Sequence, residues 1–350
     1  MSGRDRTAEG AGRRGFIDRY SAVLITAAAA MWAVDTFFRP ALVSEGLSAS
    51  QIVLGETLII SLCFIPVARR VARELRRASW RTWLVLAAIG VGPQAFATVL
   101  FTKSLTFAYS PGLSHQASLG ITSEVYLLYF LQPVFGAVLA WIFLRERRRP
   151  VFWPLAAVAL GGAALIAFST NVAAPQVQLL AAGYVLGAVL LWAAGTVLGR
   201  YALTGISFAS TSAMRFVLAL PVLLVLMLTD PAAGGFGKYA PGQIPTFLGI
   251  ALIPGLIAMV LYYRALSSTP ASVSSFAELG YPAALFLIYT LPPHLVWRFG
   301  GFGLQLNPWM VVGAVMLVAA VVTLNYLMRR DVVRAPRPSV LRLVADRSSG

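Results

Sequence analysis

Polar and helix-breaking residues cut this chain into apolar runs of about 20 residues, each long enough to cross the roughly 30 Å hydrocarbon core of a bilayer as one α-helix. Runs at about 20–42, 51–68, 81–104, 118–144, 151–170, 179–200, 208–229, 244–265, 271–291 and 308–328 predict ten spans. A helix satisfies its own backbone in lipid, and runs of this length favour helices over a closed barrel of strands. The fold class expected is an all-α membrane protein. The polar, Gly-rich and basic residues 1–18 and the basic, Pro-containing residues 329–350 are predicted to be disordered tails. Between them lie two five-span units, 19–172 and 173–328.

The two units are expected to be copies. WAVDTFFR (Trp32–Arg39) returns in weakened form as WAAGTVLGR (Trp192–Arg200), and VLFTKSL (99–105) returns as VLYYRAL (260–266), 161 positions later. Ser48 and Ser207 each precede a charged residue, Glu56 and Arg215, by eight positions. Five spans per copy is an odd number, so the second copy runs through the membrane in the opposite sense. That predicts inverted repeats, with a binding site near the midplane between the halves. The basic stretch ahead of the first run resembles a cleaved leader, but the return of its Trp32 motif argues that this helix stays with the chain.

With 58% hydrophobic and 12% charged residues, the chain has too little polar surface for an ordinary soluble globule. Its net charge of +15 on its own would point to nucleic acid. The basic residues, however, gather in the N-terminal tail, in Arg69–Arg81, in Arg145–Arg149 and in the C-terminal tail. The opposite side holds only Arg39, Lys103, Lys238 and Arg298. This is the positive-inside pattern: both termini are expected to be cytoplasmic, and the partner is the lipid bilayer rather than nucleic acid. One cysteine, Cys63, permits no internal disulfide, and neither a CxxC nor an HExxH motif occurs. No metal or other cofactor is expected. No Walker A motif occurs either, so ATP is not expected to drive the protein directly.

An ionisable side chain at the centre of a span costs roughly 2.5–3.5 kcal/mol on insertion scales, so each one needs a partner, a wet cavity or a task. At about 1.5 Å per residue, Asp35, Arg39 and Glu56 fall at similar depth in the outer half, with Glu124 and Lys103 near the outer boundary. Arg39 is expected to bridge Asp35 and Glu56. Arg215 and Glu278 share a depth nearer the cytoplasmic face and are expected to pair, whereas Glu56 and Arg215 are expected at opposite ends. These five, Asp35, Arg39, Glu56, Arg215 and Glu278, are the gating or coupling candidates, against the plainer readings of structural ion pairs or a wet vestibule. Their titratable members keep proton coupling open beside exchange and downhill flow. Arg39, Lys103 and Arg264 lie near span ends, where snorkelling is the ordinary account. His115 and His294 sit in loops without metal-ligand companions.

Trp32, Gln94, Tyr129, Gln132, Trp192 and Tyr281 fall near the midplane, where aromatics and amides would line a cavity for an amphipathic small solute. Packing is the alternative. Pro93, Pro133 and Pro282 interrupt the helices there, as hinges or as static kinks.

LQPVFGAVLAWIFLRERRRP (131–150), LYYRALSSTPASVSSFAELGYPAALF (261–286) and the Trp-Ala starts of both halves resemble the drug/metabolite transporter superfamily, EamA type. The resemblance covers residues 20–328. It implies a ten-helix carrier in a bacterial inner membrane that moves, and usually exports, amino acids or similar small metabolites. The chain departs from that pattern at Glu56, where the family often has a basic residue, in a longer stretch between 104 and 133, and in the loop Pro292–Asn307 with Gly300, Gly301 and Gly303. A secondary carrier working by alternating access is the reading favoured. A membrane sensor or scaffold and an intramembrane enzyme are the alternatives; the Ser114–His115 pair is the only hint of the latter, and adjacency alone does not make a nucleophile and base.

Overall fold

The computed structural model of the protein describes residues 20–144, 150–168, 175–269 and 308–334, together with positions 274, 277, 278, 280, 281, 284, 285 and 288. Among the described residues all regular structure is helical. The elements are α1 (Tyr20–Ser44), α2 (Ala49–Cys63), α3 (Ala68–Leu75), α4 (Trp80–Tyr109), α5 (His115–Phe143), α6 (Phe152–Phe168), α7 (Pro175–Ala202), α8 (Phe208–Thr229), α9 (Pro241–Leu266) and α10 (Pro308–Arg334). Six of them, α1, α4, α5, α7, α8 and α9, are long and apolar enough to cross a membrane, and α2 reaches that length only together with Ile65–Leu75, across a 43° bend. The apolar stretches of α6 and α10 are shorter. Most of the predicted span at 271–291, with Pro282, lies outside the described residues, as do His294, the loop 292–307, residues 145–149 and the N-terminal tail. Helix α10 continues to Arg334, past the predicted end at 328.

Around an apolar core, burial differs from that of a soluble protein in which further side chains are exposed and which are hidden. Leu62, Val225, Leu228, Ile257 and Val315 stand exposed, whereas Gln51, Thr57, Thr102, Ser123 and Thr211 are fully buried. In water this would be an aggregating surface; around a bilayer it places apolar side chains against lipid and polar ones against one another.

Local sequence explains where the helices depart from ideality. Ser48 caps α2 in a capping box with Gln51, and Ser207 caps α8 through its hydroxyl. In α1, Pro40 has no N–H to offer Thr36, and the preceding turn, Ala33–Phe37, tightens to a 3-10 helix that carries Asp35. In α4, Pro93 withholds a donor in the same way. The helix widens to a π turn over Gly90–Phe96, closed by Ala97 N–H on the carbonyl of Gly92. Helix α9 repeats this: Pro254 sits in a π turn over Ala251–Ile257, closed by Ala258 N–H on Ile253. Pro133, expected from sequence to interrupt a helix, does not do so. It lies in the first turn of a stretch that restarts at Gln132 after a 3-10 turn over Tyr129–Leu131, where a missing N–H costs little.

Both π turns are close-packed across the molecule. A Cβ at Gly90 would lie 2.8 Å from Leu218 Cβ of α8, and one at Gly255 would meet Ile60 of α2. Helices α2 and α8 are antiparallel neighbours: the first turn of α2 meets Asp230 just past α8, and the first turn of α8 meets Glu74 in α3.

Candidate functional site

The π turns, the 3-10 turn of α1 and the first half of α8 face one cavity with about 830 Å³ of empty space, its mouth included. Trp32, Asp35 and Arg39 reach it from α1, Glu56 from α2, Gln94 and Phe101 from α4, and Tyr129 and Gln132 from α5. From the second half come Trp192 and Thr196 of α7, Arg215 of α8, Pro254 and Tyr262 of α9, and Tyr281.

Arg39 is the centre of its charge network. Its Nε donates to Asp35 Oδ2 at 2.8 Å, Nη2 to Glu56 Oε2 at 2.9 Å and Nη1 to Thr102 Oγ1 at 2.9 Å. The guanidinium is 6.0 Å from the centre of the Phe101 ring. Arg39 is only 4% exposed, so the snorkelling account does not apply to it: the side chain turns inward, where its planar fork satisfies two carboxylates at once.

The second cation behaves differently from the sequence expectation. Arg215 makes no ion pair with Glu278; its Nε donates to Gln94 Oε1 at 2.8 Å and its Nη1 to the Tyr263 hydroxyl at 3.2 Å. Glu278 instead accepts from Gln132 Nε2 at 2.7 Å, the Tyr262 hydroxyl at 2.7 Å and Thr196 Oγ1 at 3.5 Å. Depth along a helix fixes height but not the direction a side chain takes around the axis, and here the two glutamines intervene. Nor are Glu56 and Arg215 at opposite ends, since both line the one cavity. The expected outer and inner clusters are therefore one polar layer.

Gln94 is fully engaged, because its Nε2 also donates to Thr57 Oγ1 at 3.3 Å. Gln132 is oriented by its bond to Glu278, and that leaves its Oε1 without a partner among the described residues; Asp35 Oδ1 is likewise free. Both are buried acceptor atoms on cavity-lining residues. Much of the rest of the wall is aromatic. Trp192 packs on Phe101 with ring centres 5.2 Å apart and on Tyr129 at 5.3 Å, Tyr129 on Tyr281 at 4.3 Å, and Trp32 on Tyr262 at 5.2 Å.

Other candidates lie elsewhere. Glu124 does not join the charged cluster near the outer boundary: it is fully buried in α5, off the cavity, and neither carboxyl oxygen has a partner among the described residues. Arg264 stacks over the Phe208 ring at 5.1 Å, and His115 is exposed at the start of α5. Sequence reasoning missed Phe101, Thr196, Pro254 and Tyr262. The repeat held the signal, because Pro93 and Pro254, and Phe101 and Tyr262, are each 161 positions apart, and Thr36 and Thr196 occupy the same place in the two Trp-Ala motifs.

The sequence model of the EamA-like transporter family matches this chain twice, over residues 19–168 and 179–291. The riboflavin transporter ImpX of Fusobacterium nucleatum subsp. nucleatum is 25% identical over 208 residues, 58% of this chain and 66% of that protein. One solved protein crystal structure is similar in fold, with a TM-score of 0.55 and 16% identity over 89% of this chain and 97% of its own.

Proposed function

Because the chain belongs to the EamA-like transporter family, we propose that this multi-pass membrane protein is a secondary carrier that moves small amphipathic metabolites by alternating access around the central cavity. In this reading ten spans form two inverted five-helix repeats, both ends face the cytoplasm, and the membrane is a bacterial inner membrane. The observation that carries the reading is the make-up of the cavity: equivalent positions of the two halves, Trp32 with Trp192, Phe101 with Tyr262 and Gln94 with Gly255, meet around one space. A site shared by two repeats changes its accessible side when one repeat rocks against the other. The antiparallel course of α2 and α8, which correspond through Ser48 and Ser207, supports the inverted relation.

The wall selects by shape and by hydrogen bonding. Seven aromatic rings accept a flat or apolar body, and the free acceptors Asp35 Oδ1 and Gln132 Oε1 favour a solute that presents N–H or O–H donors. Amino acids with aromatic side chains meet both requirements, and so does the riboflavin named for the relative; export is the direction we assign. Asp35 and Glu56 are held by Arg39, and we assign these three to gating. Glu278 accepts hydrogen bonds from neutral groups alone among the described residues, which makes it the carboxyl we assign to proton coupling. Pro93 and Pro254, each in a π turn, are the hinges of this scheme.

The test is flux from proteoliposomes loaded with riboflavin or with labelled phenylalanine, tyrosine and tryptophan. Saturable movement of one class is expected, together with loss of its pH-gradient-driven component in Glu278→Gln. If a folded preparation moves none of these solutes, this substrate assignment fails; unchanged gradient-driven flux in Glu278→Gln removes that residue from coupling.

A further inference from the structure

Ser48 and Ser207 open α2 and α8, and the cavity-lining charges Glu56 and Arg215 follow each of them by eight positions. Because the two helices are antiparallel, their first turns lie at opposite ends of the cavity. The first turn of a helix carries N–H groups and capping hydroxyls that need acceptors. At both ends here, an acid from the other half is bonded to the capping turn.

At one end Glu74, in α3 of the first half, accepts from the backbone N–H of Ser207 at 2.6 Å, from the Ser207 hydroxyl at 2.7 Å and from the Ser210 hydroxyl. At the other, Asp230, directly after α8 of the second half, accepts from the Ser50 hydroxyl at 2.8 Å, and Ser50 is bonded to the capping Ser48 hydroxyl at 2.9 Å. The second contact is reinforced by Gln51, whose Nε2 donates to the carbonyl of Gly235 at 2.7 Å and whose own carbonyl accepts from the Tyr239 hydroxyl at 2.8 Å. The arrangement is reciprocal: the acid that follows each helix of the α2/α8 pair holds the first turn of the other helix. Such bonds exist only while the two halves are apposed at that end.

We propose that Glu74 and Asp230 are gate-positioning residues, two latches at opposite faces of which one must release before the cavity opens to that face. The proposal rests on the carrier reading above and adds its gates. Neither acid lines the cavity. Each acts through a helix: release of Glu74 frees the end of α8 about two turns from Arg215, and release of Asp230 frees the end of α2 about two turns from Glu56. A solute that pulls on Glu56 or Arg215 thereby pulls on one latch or the other.

The experiment places a reporter cysteine at Thr98 of α4, which also lines the cavity, in a Cys63→Ser background, and measures its labelling by a membrane-impermeant maleimide in vesicles of either orientation. Glu74→Gln is expected to speed labelling from the Glu74 face on the order of tenfold, the scale of one charge-assisted hydrogen bond, and Asp230→Asn to do so from the opposite face. Ser207→Ala and Ser50→Ala remove a donor and keep both acids; they are expected to give the same sidedness with a smaller change, and they serve if the first pair folds poorly. Faster labelling from both faces in every variant, or no change from either face, overturns the latches. Sided labelling without flux of any solute removes the carrier reading and keeps the latches, and flux without sided labelling does the reverse.

Discussion

At Arg39 one guanidinium answers two buried carboxylates, so its removal is worse than the loss of one contact. Arg39→Ala would leave Asp35 and Glu56 as uncompensated like charges inside the protein, a change that typically costs about 3–5 kcal/mol. Arg39→Lys keeps the charge and loses the fork, and should fall between wild type and alanine. Thermal unfolding midpoints in detergent should drop in that order; equal midpoints for all three would contradict the network. Glu74 lies in α3, past the 43° bend and beyond the predicted end of the second span at 68, and gives a pH signature. Burial works against its charge, but hydrogen bonds from Ser210 and Ser207, with Arg70 nearby, outweigh it and hold the carboxyl below its ordinary 4.5. A lowered folded value means that its stabilisation is complete above the unfolded value and is lost as pH falls through the folded one. The midpoint difference between wild type and Glu74→Gln should therefore be present at neutral pH and shrink below pH 4.5, whereas a difference that ignores pH would count against these bonds. Arg39 between Asp35 and Glu56 was legible because charges in apolar runs are few and their depths agree. Arg215 was misjudged because its partner is a neutral amide, and nothing in hydropathy marks Gln94 as that partner.

The two π turns set how closely the helices around the cavity approach. Gly90→Ala would push a methyl group into Leu218 and the backbone beside it, with an expected overpacking cost of about 1–3 kcal/mol. Gly92→Ala, in the same turn, meets only Leu191 at an ordinary 3.9 Å and should leave the unfolding midpoint nearly unchanged. Equal effects at the two glycines would mean that the turn itself, not its packing, sets stability. The element boundaries could be read closely from the sequence: the run predicted at 208–229 is α8, and that at 81–104 lies within α4. Hydropathy reports length well and backbone irregularity badly. Pro93 is visible as a break, but whether a proline yields a kink, a π turn or a fresh first turn depends on what packs against it, as the different outcomes at Pro93 and Pro133 show.

On the scale of the whole molecule, an apolar core surrounds a cavity on which charged and amide side chains converge, and many large apolar side chains stand exposed at the periphery. Composition announced the exposed apolar surface, and the cavity is lined by residues from both of the halves that the repeat marks. What the sequence could not give was the closing of the space, since Phe101 and Tyr262 are unexceptional aromatics until the fold sets them across from each other. The most direct measurement of the central claim, that solute passes through this cavity, is the rate of efflux from proteoliposomes for wild type, Trp192→Ala and Trp309→Ala. Trp192 is packed in the cavity wall, whereas Trp309 is 62% exposed on α10. Loss of one aromatic contact worth about 0.5–1.5 kcal/mol predicts a roughly two- to tenfold fall for Trp192→Ala, with Trp309→Ala at the wild-type rate. Equal rates for all three, or a fall confined to Trp309→Ala, would contradict it.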